Sequence, residues 1–282
     1  MKIQEYIDKM IDLSNDNWLG RHVDRITERD RVLWGDASQE CTGIVTTIYV
    51  SARVIEEAHQ LGCNFIVCHE ALFWNHGDHT DWLQDNTAFQ KKTELLDRYN
   101  ICVWRNHDHI HAGVKLNDTY KDGIVYGLTT IMGWNQYIMN KEDVMPKDLL
   151  IPEVSASELA GIINQKFRLN GVRFIGNPDA TITRINIPLH ILGKPADNEI
   201  IRRINDENIN CLLGAELVDF TVNQYVHDAA QLGEDKCIIA LGHFNFEEIG
   251  MEWYAEYIKE YVKPDVDVHF IQAGDYFGYI PA

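Results

Sequence analysis

Positive charge is scarce in this chain beside negative. Its 25 Lys and Arg stand against 43 Asp and Glu, a formal net charge of −18 at pH 7. That balance argues against nucleic acid, which needs a basic footprint, and against an anionic membrane surface. No run approaches the roughly 20 apolar residues of a membrane span. Residues 1–15 mix polar and apolar side chains, so no secretion signal is expected. The six cysteines include no C-x-x-C pair, and several sit inside apolar runs. They read as small hydrophobes, and the expected compartment is the reducing cytoplasm. G-x-S-x-G, the P-loop and G-x-G-x-x-G are also missing, which removes the commonest serine-hydrolase and nucleotide-binding fingerprints.

What is present is core-forming material. With 45% hydrophobic residues over 282 positions, the chain can bury one large α/β domain or two packed lobes. Ile3, Tyr6, Ile7, Met10 and Ile11 recur at helical spacing. Residues 16–41 are charged and aperiodic and read mostly as loop. A strand over 43–50, a helix over 52–61 with Ser51 as cap, a strand over 64–68, a helix over 87–99 and a strand over 101–104 follow. This βαβ rhythm predicts parallel pairing. Residues 112–150 hold a helix and then a stretch without sharp periodicity. A helix from Ser155 to Phe167, strands near 172–175 and 181–189, and a second βα series up to a last strand over 267–272 complete the chain. The expected division is 1–125 as an N-terminal lobe, 126–190 as a middle segment and 191–282 as a C-terminal segment.

Three apolar runs end in histidine beside a carboxylate or another histidine: NFIVCHE at 64–70, ICVWRNHDHIH at 101–111 and KCIIALGHFNFEE at 236–248. Ligands of open α/β sheets bind outside the carboxyl ends of the strands. Three such ends carrying His and Glu point to one metal site assembled from distant residues. His107, His109 and His111 alternate, so an extended segment would set all three on one side. His243 and Glu247 stand at i and i+4 and share a helix face if a helix starts near Asn245. His76 and His79, in the polar run NHGDHTD, read as solvated surface. His22, His59, His190, His227 and His269 have no ligand context.

The order of these motifs resembles the NIF-three-like family, also called type 2 GTP cyclohydrolase I. His69-Glu70-Ala71-Leu72-Phe73 stands where the family has His-His-Pro-Leu and an aromatic, and His107 to His111 where it has His-Thr-x-x-Asp. Gly242-His243-Phe244-Asn245-Phe246-Glu247 matches Gly-His-x-x-x-Glu outright, and Gly214-Ala215-Glu216 resembles a Gly-Glu segment. The likeness runs from about residue 43 to 272. It implies two divalent metals held by His69, Glu70, His111, His243 and Glu247. Two positions depart from the family pattern, Glu for His at 70 and His for Asp at 111. The exchange keeps three imidazoles and two carboxylates. The resemblance also implies a toroidal homohexamer.

The resulting expectation is an α/β protein of two related lobes with mixed or parallel sheets and a metal site in the cleft between them. Its function would be hydrolysis of a small substrate, phosphorylated or nucleotide-like, with His107 either supporting the metal ligands from behind or transferring a proton, and two divalent ions (Zn, Fe, Mn or Ni) as cofactors. The rival is a metal-binding scaffold or metallochaperone without turnover. A catalytic site keeps an open coordination position and a structural one is closed.

Overall fold

The computed structural model describes residues 1–280. Its chain divides into two compact units, Met1–Gly127 with Gly250–Ala273, and Leu128–Ile249 with the segment from Gly274 onward. No helix of the described residues is long and apolar enough to cross a membrane.

The first unit opens with helix α1 (Ile3–Asp12), whose apolar stripe Ile3, Tyr6, Ile7, Met10 and Ile11 is buried as its spacing requires. The segment expected to be loop contains three short strands: β1 (Asn17–Trp18) paired with β2 (Arg21–His22), and β3 (Val32–Trp34). Then follow β4 (Ile44–Thr47), α2 (Ala52–Gln60), β5 (Phe65–Cys68), α3 (Thr87–Arg98), β6 (Cys102–Arg105), α4 (Asp108–Ala112), the hairpin β7 (Val114–Leu116) and β8 (Thr119–Lys121), and α5 (Gly123–Ile131). Ser51 Oγ accepts from Val54 N and starts α2. Asn86 does the same for α3 through Phe89 N.

The sheet of this unit has the order Val268–Phe270, β4, β5, β6, β3. All pairs are parallel except the edge pair of β3 with β6. The three central strands are buried along their whole length, and so they read in sequence as unbroken apolar runs. Val45, Ile66, Val103, Val54 and Leu96 meet in one core between sheet and helices. Burying each such side chain contributes about 1.5–3 kcal/mol. Parallel register sets Cys68 beside Arg105. The residues that follow β5 and β6, His69 and Asn106–His107, therefore emerge side by side at the carboxyl edge.

The second unit contains β9 (Asp148–Ser155), α6 (Ala156–Phe167), β10 (Arg173–Gly176), β11 (Thr181–Ile191), α7 (Asp197–Asp206), β12 (Cys211–Leu217), α8 (Val222–Gln231), β13 (Cys237–Ala240) and α9 (His243–Tyr257). Its sheet order is β10-β13-β12-β11-β9. β11, β12 and β13 are parallel, and both edge strands are antiparallel. β9 was not visible in the aperiodic stretch up to residue 150. It carries Pro152, and as an edge strand it tolerates a residue that cannot donate to the ladder.

Two glycines shape α9. Gly242 has φ +89°, the left-handed region that turns the chain from β13 straight into the helix. α9 therefore begins at His243, two residues before the expected start. Gly250 lies against α5, where a Cβ would stand 2.6 Å from Ile124 Cα. Only glycine permits that approach.

The protein is thus a two-lobed α/β protein with a mixed five-stranded sheet in each lobe.

Candidate metal-binding groups

In the first unit the site begins at the ends of β5 and β6. His69 is fully buried, and its Nδ1–H donates to the Asn106 carbonyl at 3.0 Å. A carbonyl can only accept, so the ring lone pair is on Nε2. Arg105, also fully buried, ties the next loop to β6. Its guanidinium donates to the carbonyls of His69 (3.0 Å) and His76 (2.7 Å), to Asp78 Oδ2 (3.4 Å) and to Glu70 Oε2 (3.1 Å). Glu70 is thereby held by one oxygen, and its Oε1 lies 3.9 Å from His107 Nε2.

The histidine-rich segment is not extended. It winds into α4, with His107 as N-cap. One helical turn sets His107 and His111 together and sends His109 elsewhere. The rings of His69, His107 and His111 have centroids 4.6–4.8 Å apart, and one ring nitrogen of each lies within 4.8 Å of the others. His107 Nδ1 is 3.1 Å from Asp108 Oδ1, and His111 Nδ1 is 2.8 Å from Asp122 Oδ2. Trp18 stacks on His111 at 5.4 Å and 9°, with Arg29 over its ring at 5.4 Å.

His109 Nδ1 instead meets Asp30 at 2.6 Å. The buried Asp30 carboxylate also accepts the backbone N–H groups of His107, Asp108 and His109 at 2.7, 2.9 and 2.8 Å. It serves α4 as an N-terminal cap supplied from a distant part of the chain.

Burial, followed by the mutual repulsion of neighbouring imidazoles, holds His69 well below the usual histidine range. Burial, His111 and two guanidinium groups do the same for His107. Both are neutral imidazoles at pH 7, the form that ligates metal.

In the second unit, His243 Nε2 lies 3.0 Å from Glu247 Oε2, one turn along α9. His243 Nδ1 faces Glu216 Oε1 at 2.9 Å, and Glu216 Oε2 faces His190 Nδ1 at 3.0 Å. His190 and Glu216 stand opposite each other because the register of β11 with β12 pairs them. Partial burial pushes the Glu216 carboxyl up, but its bonds to His243 and the charges of both histidines outweigh this and hold it below the usual range.

Of the residues singled out in the sequence, His69, Glu70, His107 and His111 come together in the first unit, and His243 and Glu247 in the second. His109 does not join the other two histidines of its motif. His79 is exposed near Glu28, and His59 stacks on Tyr99. His190, read as structural, belongs to the Glu216 group. Asp30, Arg105, Asp122 and Trp18 were not foreseen. Their only sequence signal is being charged or aromatic near apolar segments, and that signal is too common to single them out.

The donor set fits a divalent metal. Neutral imidazoles and carboxylates are clustered, and His69, His107, His111 and His243 each have Nδ1 engaged by a carbonyl or carboxylate, the arrangement that orients metal-ligating histidine through Nε2. Fold and donors together define a two-lobed α/β protein with groups able to hold a metal beyond its strand ends. The family model described as Duf34/NIF3 (NGG1p interacting factor 3) matches residues 31–275, and the chain belongs to that family. Its relatives include the GTP cyclohydrolase 1 type 2 homolog of Clostridium perfringens, 24% identical over 258 residues and covering 87% of this chain and 89% of the relative. The protein of the same name from Clostridium acetobutylicum is 23% identical over 227 residues, 78% of this chain and 75% of that one. Among solved structures, a Bacillus cereus protein related to NIF3 shares the fold at TM-score 0.69 and 13% identity, covering 99% of both chains. A Staphylococcus aureus protein does so at 0.65 and 17%, again over 99% of both.

Proposed function

We propose that this protein is a divalent-metal-dependent hydrolase of a small, phosphorylated or nucleotide-like substrate. It would bind two ions per chain through His69, Glu70 and His111 of the first unit and His243 and Glu247 of the second. The observation that carries the reading is the buried cluster of His69, His107 and His111, three imidazoles with their Nδ1 atoms already committed. Burying three such rings together serves no packing purpose that Leu or Phe would not serve better.

When bound, the ions supply Lewis acidity and the positive charge that a protein of net −18 needs to meet an anionic substrate. The chain's own residues prepare the place. Arg105 fixes one oxygen of Glu70 and orients the other. Asp122 holds the His111 tautomer, and Glu216 holds that of His243. Trp18 lies flat on His111. The names borne by the clostridial relatives support a nucleotide-like substrate. The test is elemental analysis of the purified protein, joined to a panel of phosphate esters, phosphoanhydrides and cyclic amidines including GTP. Metal-dependent release of product from one class supports the proposal. Stoichiometric metal with no turnover across the panel would favour a metal-carrying role.

A further inference from the structure

The sequence suggests His107 as a support for the metal ligands or a proton-transfer group. Its surroundings assign it differently. Asp108, which faces His107 Nδ1, is itself held by Thr27 Oγ1 at 2.7 Å and Arg29 at 2.7 Å. A carboxylate pinned in this way keeps the His107 proton on Nδ1 and the lone pair on Nε2. Nε2 is the edge that faces Glu70 Oε1, at 3.9 Å. The His107 backbone N–H is fixed as well, by Asp30 at 2.7 Å. Backbone, tautomer and ring edge are all set before any ion arrives. A fixed tautomer of this kind serves a metal ligand and a general base alike, so the company the ring keeps decides between them.

His107 also stands as close to the two assigned imidazoles as they stand to each other, nearly parallel to His69 (14°) and steeply inclined to His111 (70°). Its centroid is 4.6 Å from His69 and 4.8 Å from His111, and the His69–His111 distance is again 4.8 Å. The three form a near-equilateral set in which no ring stands outside the other two. His109, from the same short motif, shows the contrast: its Nδ1 is taken by Asp30 and it shares no group with them.

We propose that His107 is a third imidazole ligand, completing with His69 and His111 a three-histidine site within the first unit for a borderline divalent ion such as Zn2+, Co2+ or Ni2+. Three imidazoles with a fourth position left for Glu70 or solvent match the open coordination of catalytic zinc, and so many nitrogen donors disfavour Mg2+. The inference rests on the metal-binding reading of this site, and the test separates the two.

The full-length protein is stripped with chelator and reloaded with Co2+, and the number of coordinated imidazoles is counted by X-ray absorption for the parent, His107→Gln and the exposed-loop control His79→Gln. The expected result is a count lower by one in His107→Gln only, together with a loss of Co2+ affinity greater than the roughly 10–100-fold cost of an outer-shell partner. An unchanged imidazole count in His107→Gln, with metal bound, overturns the assignment of His107 and leaves the metal site standing. A parent that takes up no Co2+ overturns both. Should His107→Gln unfold, 15N spectra of the parent decide: Zn2+ must shift the His107 Nε2 resonance along with those of His69 and His111, and an unmoved His107 Nε2 overturns the proposal.

Discussion

Asp30 Oδ2 accepts two hydrogen bonds from His109, one from the backbone N–H at 2.8 Å and one from ring Nδ1 at 2.6 Å. Its other oxygen takes the N–H groups of His107 and Asp108. One buried carboxylate thus sets both the start of α4 and the divergence of His109 from its neighbours. Asp30→Ala should destabilise the protein by about 3 kcal/mol or more, since several buried donors lose their acceptor at once. Asp30→Asn, which keeps one acceptor oxygen, should cost less. Urea unfolding of the three proteins checks the order. A cost below about 0.5 kcal/mol for Asp30→Ala, the scale of an ordinary surface change, would mean that α4 does not depend on this cap.

The same residue shows what the sequence hides. Strand runs such as Phe65–Cys68 and Cys237–Ala240 were legible because strands buried on both faces are apolar throughout. His69, Glu70, His243 and Glu247 were legible because they directly follow those runs. The conformation of residues 107–111 was not. Alternating histidines imply one face only in an extended chain, and what makes this segment helical is a carboxylate 77 positions upstream of His107. His190 is hidden for a similar reason. Its partner Glu216 lies on the neighbouring strand, and only the register of β11 with β12 brings them opposite each other. Local pattern reveals which residues are buried, while long-range pairing decides which of them meet.

Metal removal should be visible in stability. Purified protein is expected to carry close to two divalent ions per chain by mass spectrometry after gel filtration without chelator. Because the ions bind the folded chain, chelation should lower Tm and Zn2+ should restore it. The stabilisation is about 2.7 kcal/mol when free metal is 100 times Kd. A Tm that ignores both chelator and added metal would count against bound ions.

Lys92 provides a prediction in pH. Its ammonium is buried, donates to the Leu72 carbonyl at 2.6 Å and lies over the rings of Phe73 and Trp74 at 5.5 and 5.6 Å. Burial pulls it down to about 8. The unfolded value is about 10.4. Between the two the unfolded chain holds more protons, so this group makes stability rise with pH over that window. Below pH 8 the cost of burying the charge is full, on the order of 3 kcal/mol. Lys92→Met should therefore flatten the stability profile between pH 8 and 10 relative to the parent, as urea midpoints across that range will show. Parallel profiles for parent and variant would place the Lys92 ammonium in water.

His243→Ala should release at least one ion while leaving the fold in place. His243 begins α9 directly after the positive-φ turn at Gly242 and is not part of the apolar core. The metal-free variant and metal-free parent should melt within a few degrees of each other, as for a change of under about 1 kcal/mol. Full metal retention would remove His243 from the ligand set.

Glu70 and His111 both border His69 in the first unit. A Glu70 carboxylate oxygen and a His69 ring nitrogen lie within 4.8 Å, as do ring nitrogens of His69 and His111. Relative to the family pattern the two positions have exchanged an imidazole for a carboxylate. Glu70→His alone leaves four imidazoles and one carboxylate at the five positions matched to the family, and also removes the oxygen that meets Arg105. His111→Asp alone leaves two imidazoles and three carboxylates, and sets a new carboxylate near buried Asp122, the present partner of the His111 ring. These local charge changes carry over into the double variant, so the ligand balance alone separates it from the single ones. The double variant restores the three-to-two inventory and should bind Zn2+ more tightly than either single variant. Groups acting on one centre couple by about 0.5–3 kcal/mol, up to roughly a hundredfold in affinity. Isothermal titration of Zn2+ into the four metal-free proteins closes the cycle. Additive losses would mean that Glu70 and His111 serve separate ions or none, and that their exchange relative to the family does not compensate.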